Sequence, residues 1–302
     1  MKIDQSPIFI LGHHRSGTTL LHKLISQDPQ FCYFKNSDII FPRLNTPGKK
    51  ILKLFLTFII RTFRIKTFAY NNVLFELDDP QEEDMCMTGM FEPDTFYWKF
   101  VFPNSRYDPL MVIEPEIANQ KWKNTYSFYL KRVQYHNKSK KLLFKNPPNT
   151  ARVKTLLEIF PNAKFIYINR DPYEIIYSTI RLWKKGLQVF SLQRYNDILI
   201  EDLVFKYFKA FHKKYISEKD FIPLANLIEV KYDDLKTDPL SVIKTIYHKF
   251  NLNFDTIEEP LLKQINKEKE YKVFKYQRKE RLDNRIKLML NEMTMSSLII
   301  YN

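Results

Sequence analysis

Two of the chain's five glycines, Gly12 and Gly17, stand in one loop, Gly12-His13-His14-Arg15-Ser16-Gly17-Thr18-Thr19, and that loop constrains the fold more than any other feature. It is entered from Pro7-Ile8-Phe9-Ile10-Leu11, a short apolar run ended by glycine, which is the pattern of a buried parallel strand. It is left through a segment that places Leu20, Leu21, Leu24 and Ile25 on one helical face before Asp28-Pro29 stops it. The spacing Gly-x4-Gly-Thr-Thr is that of a Walker A loop whose lysine position is held by Thr18. A loop of this shape aims successive backbone N–H groups at one point, and the helix N-terminus behind it adds partial positive charge, so an anion is expected there. The bland alternative is an ordinary strand–helix turn rich in small residues. Glycine is otherwise scarce, well under the roughly 7% of ordinary proteins, so its concentration here favours the anion site. Without the lysine that serves β/γ-phosphates, ATP hydrolysis and kinase chemistry are disfavoured.

The same strand-then-helix grammar recurs. Leu142 to Lys145 reads as a strand, with Asn149 or Thr150 capping a helix through Ile159. Lys164 to Ile168 reads as another, followed by a helix opened by Asp171-Pro172 and running to about Lys184. Leu227 to Lys231 is a fourth, before Asp238-Pro239 and an amphipathic helix to about Phe250. Short apolar strands alternating with capped helices predict an α/β, P-loop-like three-layer fold around a central parallel sheet, with ligands at the carboxyl ends of the strands. Between Phe31 and Lys141 the strand signals fade into helical, aromatic and charged text, so 43–141 reads as a helical insertion within a single domain spanning 1–302. The 44% hydrophobic content suits a chain with a sizeable core, and a formal charge of +14 calls for an anionic partner. Two cysteines, Cys32 and Cys86, offer neither a disulfide framework nor a cysteine-based zinc site. The longest greasy stretch, Ile51 to Ile60, is interrupted by Lys53 and too short to span a bilayer, so a cytoplasmic protein is expected.

Phe9 to His22 resembles the donor loop of the sulfotransferases that use 3′-phosphoadenylyl sulfate, in particular a bacterial group with a Gly-His-x-Arg-Ser-Gly-Thr-Thr signature. Leu143-Phe144-Lys145-Asn146-Pro147-Pro148, Phe160 to Pro172 and Ser178-Thr179 are similar to the family's 3′-phosphate segment, and Val230 to Leu235 with Asp238-Pro239 to a segment near the adenine. The resemblance covers roughly 6–42, 76–92, 142–184 and 227–254. It departs at Asn146-Pro147-Pro148 and in the C-terminal region. The resemblance implies that Arg15 and the backbone of Ser16, Gly17, Thr18 and Thr19 hold the 5′-phosphosulfate, that Arg170 and Ser178 clamp the 3′-phosphate, and that Tyr232 stacks on the base. It implies sulfuryl transfer to a hydroxyl without a metal. An arginine fork with a hydroxyl suits a phosphate monoester, and Ser178 lies two turns into a helix that begins beside Arg170.

Such a transfer needs positive charge on the transferring group and a base for the acceptor proton. Arg15 and Lys145 are the cations on offer. For the base, Asp38 falls where some sulfotransferases carry an acidic group, with a helix N-terminal charge as its plain alternative. Glu82, Glu83 and Asp84 form a second candidate set, with Glu83 its representative, although such a run is commonly a solvated helix start; His13 and His14 are a third.

From Arg43 to Lys66 there are seven basic residues, Arg43, Lys49, Lys50, Lys53, Arg61, Arg64 and Lys66, and no acidic one. Interleaved with Leu52, Leu54, Phe55, Leu56, Phe58, Ile59, Ile60 and Phe63, they make a cationic amphipathic helix that suits an anionic membrane surface, a lid over the acceptor, or a core-facing helix with a basic outer face. Aromatics crowd Phe91 to Tyr107, a wall for a carbohydrate, lipid or small-molecule acceptor. Two rival readings compete: a small-molecule kinase of the same architecture, disfavoured by Thr18 and by the absence of an acidic residue closing the strand Phe165 to Ile168, and a non-catalytic basic protein on membrane or nucleic acid. No nucleic-acid motif is recognisable.

Overall fold

The structure, a computed structural model, describes residues 6–40, 46–62, 76–89, 95–105, 120–137, 140–268 and 276–300. Its centre is a five-stranded, all-parallel sheet of β1 (Ile8–Leu11), β2 (Phe31–Cys32), β3 (Lys141–Lys145), β4 (Lys164–Asn169) and β5 (Leu227–Lys231), in the order β2-β3-β1-β4-β5. Ile8 pairs with Leu143 on one side and with Lys164 on the other, which makes β1 the middle strand and puts the loop that follows it at the centre of the carboxyl edge.

The two-residue period of a strand sorts its side chains between two cores. Phe9, Leu11, Phe144 and Phe165 point to one face, where they meet Trp122, Tyr126 and Leu130 of α6 (Gln120–His136), Val153 and Leu156 of α7 (Val153–Ile159), and Tyr215 of α9 (Asp197–Glu218). Ile8, Ile10, Leu143 and Ile166 point to the other, onto Leu21 and Leu24 of α1 (Thr18–Ile25), Leu235 of α10 (Tyr232–Thr237), Ile243 of α11 (Pro239–Lys249) and Leu261 of α12 (Glu258–Glu268). Both faces being covered, β1 exposes nothing beyond 2% of any side chain, and its continuous apolar run is explained. A third core, built around Trp183, Tyr207 and Phe96, joins α8 (Pro172–Phe190) and α9 to α5 (Trp98–Val101) and α13 (Glu280–Ile300).

Caps read from the sequence set two of these helices. The Asp171 carboxylate accepts from Glu174 N at 3.1 Å with Pro172 at the first turn, and Asp238 accepts from Ser241 N at 3.0 Å. α8 outruns its expected end near Lys184 and continues to Phe190, because Trp183 and Leu187 remain on its buried stripe. The expected cap at Asn149 or Thr150 is corrected: Pro147–Ala151 forms a 3-10 turn and α7 starts only at Val153, since both polar side chains are drawn into the site. β2 lies inside the stretch where no strand was expected. Between β2 and β3 the described residues hold α2 (Asn36–Ile40), α3 (Thr46–Thr62), α4 (Glu83–Gly89), α5 and α6. Parts of the basic arm, 43–45 and 63–66, lie outside the described residues, as do Phe91 and Tyr107 at the ends of the aromatic stretch.

Candidate active site

The loop between β1 and α1 holds three residues with positive φ: Gly12 at 140°, Arg15 at 71° and Gly17 at 105°. Arg15 bears the cost of a left-handed backbone without being glycine, and a set of clamps explains why it stays there. Gly12 N donates to Thr150 Oγ1 at 2.8 Å, and the same hydroxyl donates back to Gly12 O at 3.1 Å. Thr179 Oγ1 donates to His14 O at 3.2 Å, and Arg170 Nη1 to Arg15 O at 2.8 Å. Three elements, the 3-10 turn, α8 and the end of β4, thus pin the loop so that the first turn of α1, whose N–H groups have no intrahelical acceptor, faces the carboxyl edge. Ser16 Oγ is buried there without a partner, as a group awaiting an acceptor would be.

The histidines of the loop turn the other way. His13 lies against Phe208 and Phe211 at ring distances of 5.2 and 5.5 Å, and His14 stacks on Phe96 at 5.0 Å. Burial lowers His13 to about 4, and burial, aided by the nearby His13, Lys145 and Arg15 charges, holds His14 well below the ordinary imidazole value. Both rings are neutral at pH 7.

A second constellation sits beside the loop. Arg15 Nε donates to Ser178 Oγ at 2.8 Å, and Tyr276 OH donates to the same oxygen at 2.9 Å. The Arg170 guanidinium lies 4.1 Å over the Tyr232 ring and reaches Glu174 through Nε at 3.1 Å. The Tyr232 ring in turn presses on Gly17, where an added Cβ would lie 2.3 Å from its Cδ2. Arg15, Arg170, Ser178 and Tyr232, gathered from the loop, the residue after β4, α8 and α10, therefore converge. Tyr276 is an addition: it comes from the C-terminal region in which no family pattern is readable.

The acidic run, the third component, is buried rather than solvated. Glu82, Glu83 and Asp84 are 9%, 0% and 0% exposed. Lys145 Nζ, at the end of β3 and only 2% exposed, donates to Glu82 Oε1, and Tyr97 OH donates to Glu82 Oε2. Glu83 Oε1 accepts from Tyr126 OH and from Asn149 Nδ2, each at 2.8 Å. Asp84 receives a two-pronged contact from Arg152, Nη1 to Oδ1 at 3.0 Å and Nη2 to Oδ2 at 3.1 Å. Burial raises Glu82 above the usual carboxylate range against the pull of Lys145, and raises Glu83 to about 7. Asp38, near the start of α2, accepts from Lys35 N at 2.8 Å through Oδ2, the posture of a charge holding a short helix start. The carboxylate that the structure brings to Lys145 is Glu82.

The chain is similar to known proteins in sequence and in fold. The profile described as the Sulfotransferase family matches residues 7–256. Two mycobacterial proteins described as omega-hydroxy-beta-dihydromenaquinone-9 sulfotransferase Stf3, from Mycobacterium bovis and Mycobacterium tuberculosis, are each 31% identical over 283 residues, 91% of this chain and 70% of the relative. Among solved structures, sulfotransferase STF9 from Mycobacterium avium aligns with 98% of this chain and 77% of its own at a TM-score of 0.75 and 19% identity. Sulfotransferase STF1 from Mycobacterium tuberculosis aligns with 88% and 74% at 0.69 and 17%. The two solved structures share the fold of the central sheet and its covering helices, and the family profile spans the loop, the Arg170 and Ser178 constellation and the acidic run alike: the chain belongs to the sulfotransferase family.

Proposed function

We propose that the chain transfers a sulfuryl group from 3′-phosphoadenylyl sulfate to the hydroxyl of a lipid or other small-molecule acceptor, with Glu82 as the base. The observation that carries this reading is the contact of Glu82 with Lys145 at the carboxyl end of β3, the strand beside the one that feeds the glycine loop. The residues present fit the donor. The first turn of α1, Arg15 and the unpartnered Ser16 hydroxyl suit a phosphosulfate; Arg170, Ser178 and Tyr276 suit a phosphate monoester; Tyr232 offers a ring face.

The donor, when bound, supplies an activated sulfuryl group. The acceptor oxygen forms the new O–S bond as the bond from sulfur to the phosphate oxygen breaks, and 3′-phosphoadenosine 5′-phosphate leaves with the electron pair. Glu82 takes the hydroxyl proton. Each carboxylate oxygen keeps a second lone-pair site after accepting from Lys145 or Tyr97, so the base is held in place yet still able to accept. Its raised pKa brings it nearer the working pH than an ordinary glutamate. Lys145 and Arg15 balance the charge that grows on the leaving phosphate.

The relatives named for an ω-hydroxylated menaquinone bring a terminal hydroxyl on an apolar chain into the reading of the acceptor. The test incubates the protein with sulfur-labelled donor and, in parallel, an ω-hydroxylated prenylquinone, a short prenyl alcohol and a free sugar. Label in the prenyl acceptors supports the reading. Label in none, with 3′-phosphoadenosine 5′-phosphate failing to raise the Tm, refutes it.

A further inference from the structure

Helix α3 carries apolar side chains outward. Ile51, Leu54, Phe55 and Phe58 are 71%, 74%, 56% and 68% exposed, and their spacing of i, i+3, i+4, i+7 makes one continuous stripe. Leu52, Leu56 and Ile59 form a second stripe, half-buried toward the body of the protein. A helix that only covered a core would spend its apolar residues on one face; this one has two, and the outer one has nothing over it among the described residues.

Charge selects the occupant. The sequence of α3 holds Lys49, Lys50, Lys53 and Arg61 and no acidic residue, a composition that suits a negatively charged apolar boundary. No helix among the described residues is long and apolar enough to cross a membrane, so the helix would lie along the boundary. Its position gives the contact a purpose. Lys53 Nζ pairs with Asp78, which also holds Lys35 at 3.2 Å, and Asp78 stands four residues before Glu82. The link from α3 to Glu82 thus runs through Asp78 and the short connection from it to Glu82.

We propose that α3 seats the protein on an anionic bilayer surface and thereby brings Glu82 to a hydroxyl-bearing acceptor dissolved in that bilayer. The docking stands on the helix alone; the choice of acceptor rests on the function proposed above.

Flotation of the whole protein with phosphatidylcholine vesicles, with and without phosphatidylglycerol, at rising salt tests it. The native protein is expected to bind the phosphatidylglycerol vesicles and to lose at least about tenfold in partitioning without the anionic lipid or at high salt. Leu54→Asp with Phe58→Asp is expected to lose at least about tenfold, as is Lys50→Glu with Arg61→Glu, while the Tm rise with 3′-phosphoadenosine 5′-phosphate stays as in the native protein. Absence of vesicle binding overturns the proposal, as does binding that both α3 pairs leave intact. A concentration-dependent dimer that Leu54→Asp with Phe58→Asp dissolves, without vesicle binding, would assign the stripe to a second copy instead. The two readings fail separately: transfer to a detergent-dispersed prenyl alcohol without vesicle binding removes the docking alone, and vesicle binding without transfer to any acceptor removes the proposed acceptor and function alone.

Discussion

Replacing Glu82 by glutamine isolates the proton-accepting role from the shape of the site. The amide oxygen still accepts from Lys145, and the amide nitrogen turns toward the Tyr97 hydroxyl, which accepts instead of donating. What disappears is one negative charge beside a buried ammonium. The hydrogen bond to a charged group is worth about 1.5–3 kcal/mol, less than the roughly 3–5 kcal/mol of an outright broken buried pair. At about 2 °C per kcal/mol for a chain of this size, the Tm should fall by about 3–6 °C, leaving a folded protein. Loss of the base is expected to lower kcat about 10²–10⁴-fold, or about 2.7–5.4 kcal/mol of transition-state stabilisation. Affinity for 3′-phosphoadenosine 5′-phosphate should hold or rise, because Lys145 is freed of its counter-ion. Initial rates with labelled donor, together with titration calorimetry of the nucleotide, measure both. Glu83→Gln and Asp38→Asn serve as comparisons, each expected to change kcat by less than about tenfold. Retention of more than a tenth of native kcat by Glu82→Gln would refute the reasoning, as would an equal loss in Glu83→Gln.

Arg170→Ala is expected to weaken 3′-phosphoadenosine 5′-phosphate by about 1.5–3 kcal/mol while leaving adenosine 5′-phosphate nearly unchanged; equal losses in calorimetry would make Arg170 a loop clamp only. Gly17→Ala combines a φ of 105° with a Cβ 2.3 Å from the Tyr232 ring, so a loss of at least about 1–3 kcal/mol is expected, partly recovered with Tyr232→Ala; an unchanged urea midpoint would contradict the contact. Glu83, raised to about 7 from 4.5, makes the native state hold a proton that the unfolded chain releases, so its contribution to stability declines between about pH 4.5 and 7 with a slope of about 1.4 kcal/mol per pH unit. Glu83→Gln should remove that slope, and urea titrations of both proteins across the window decide it. The buried histidines act with the opposite sign below pH 6.5, which is why the difference between the two proteins is the quantity to measure.

Sheet and glycine loop were legible because their signals are local. An apolar run of β1's length, a glycine stop and an Asp-Pro cap each lie within a few residues, and Asp171 and Asp238 cap as their sequence neighbourhoods say. β2 was not: two residues, Phe31 and Cys32, carry no period, and their pairing with Lys141 and Leu142 is a tertiary event. The acidic run misled for the same reason. Charges in a row look solvated unless their partners are known, and the partners of Glu82, Glu83 and Asp84 lie 63, 66 and 68 residues away. Asn149 and Thr150 have the chemistry of helix caps, and that competing signal concealed that their side chains bind Glu83 and the Gly12 backbone. Tyr276 reaches Ser178 from a segment with no periodicity or motif to mark it.

Those partners fall in one short stretch, and this explains how an acidic run survives in the interior. Lys145, Asn149 and Arg152 read Glu82, Glu83 and Asp84 in parallel order, and Thr150, between the last two, holds the glycine loop. The end of β3 and the turn after it therefore fix the register of α4 against the glycine loop, and a slip of one residue would leave each carboxylate facing the wrong partner. Counted as charges, three acids meet two cations and one amide. Buried charges persist only when paired, so the unmatched acid is the one that must give way. Glu83, facing the amide, is raised to about 7 by burial, whereas for Glu82 the neighbouring Lys145 ammonium works against the upward push of burial. The pairing thus separates two adjacent glutamates chemically: one faces an amide and a phenol, the other an ammonium.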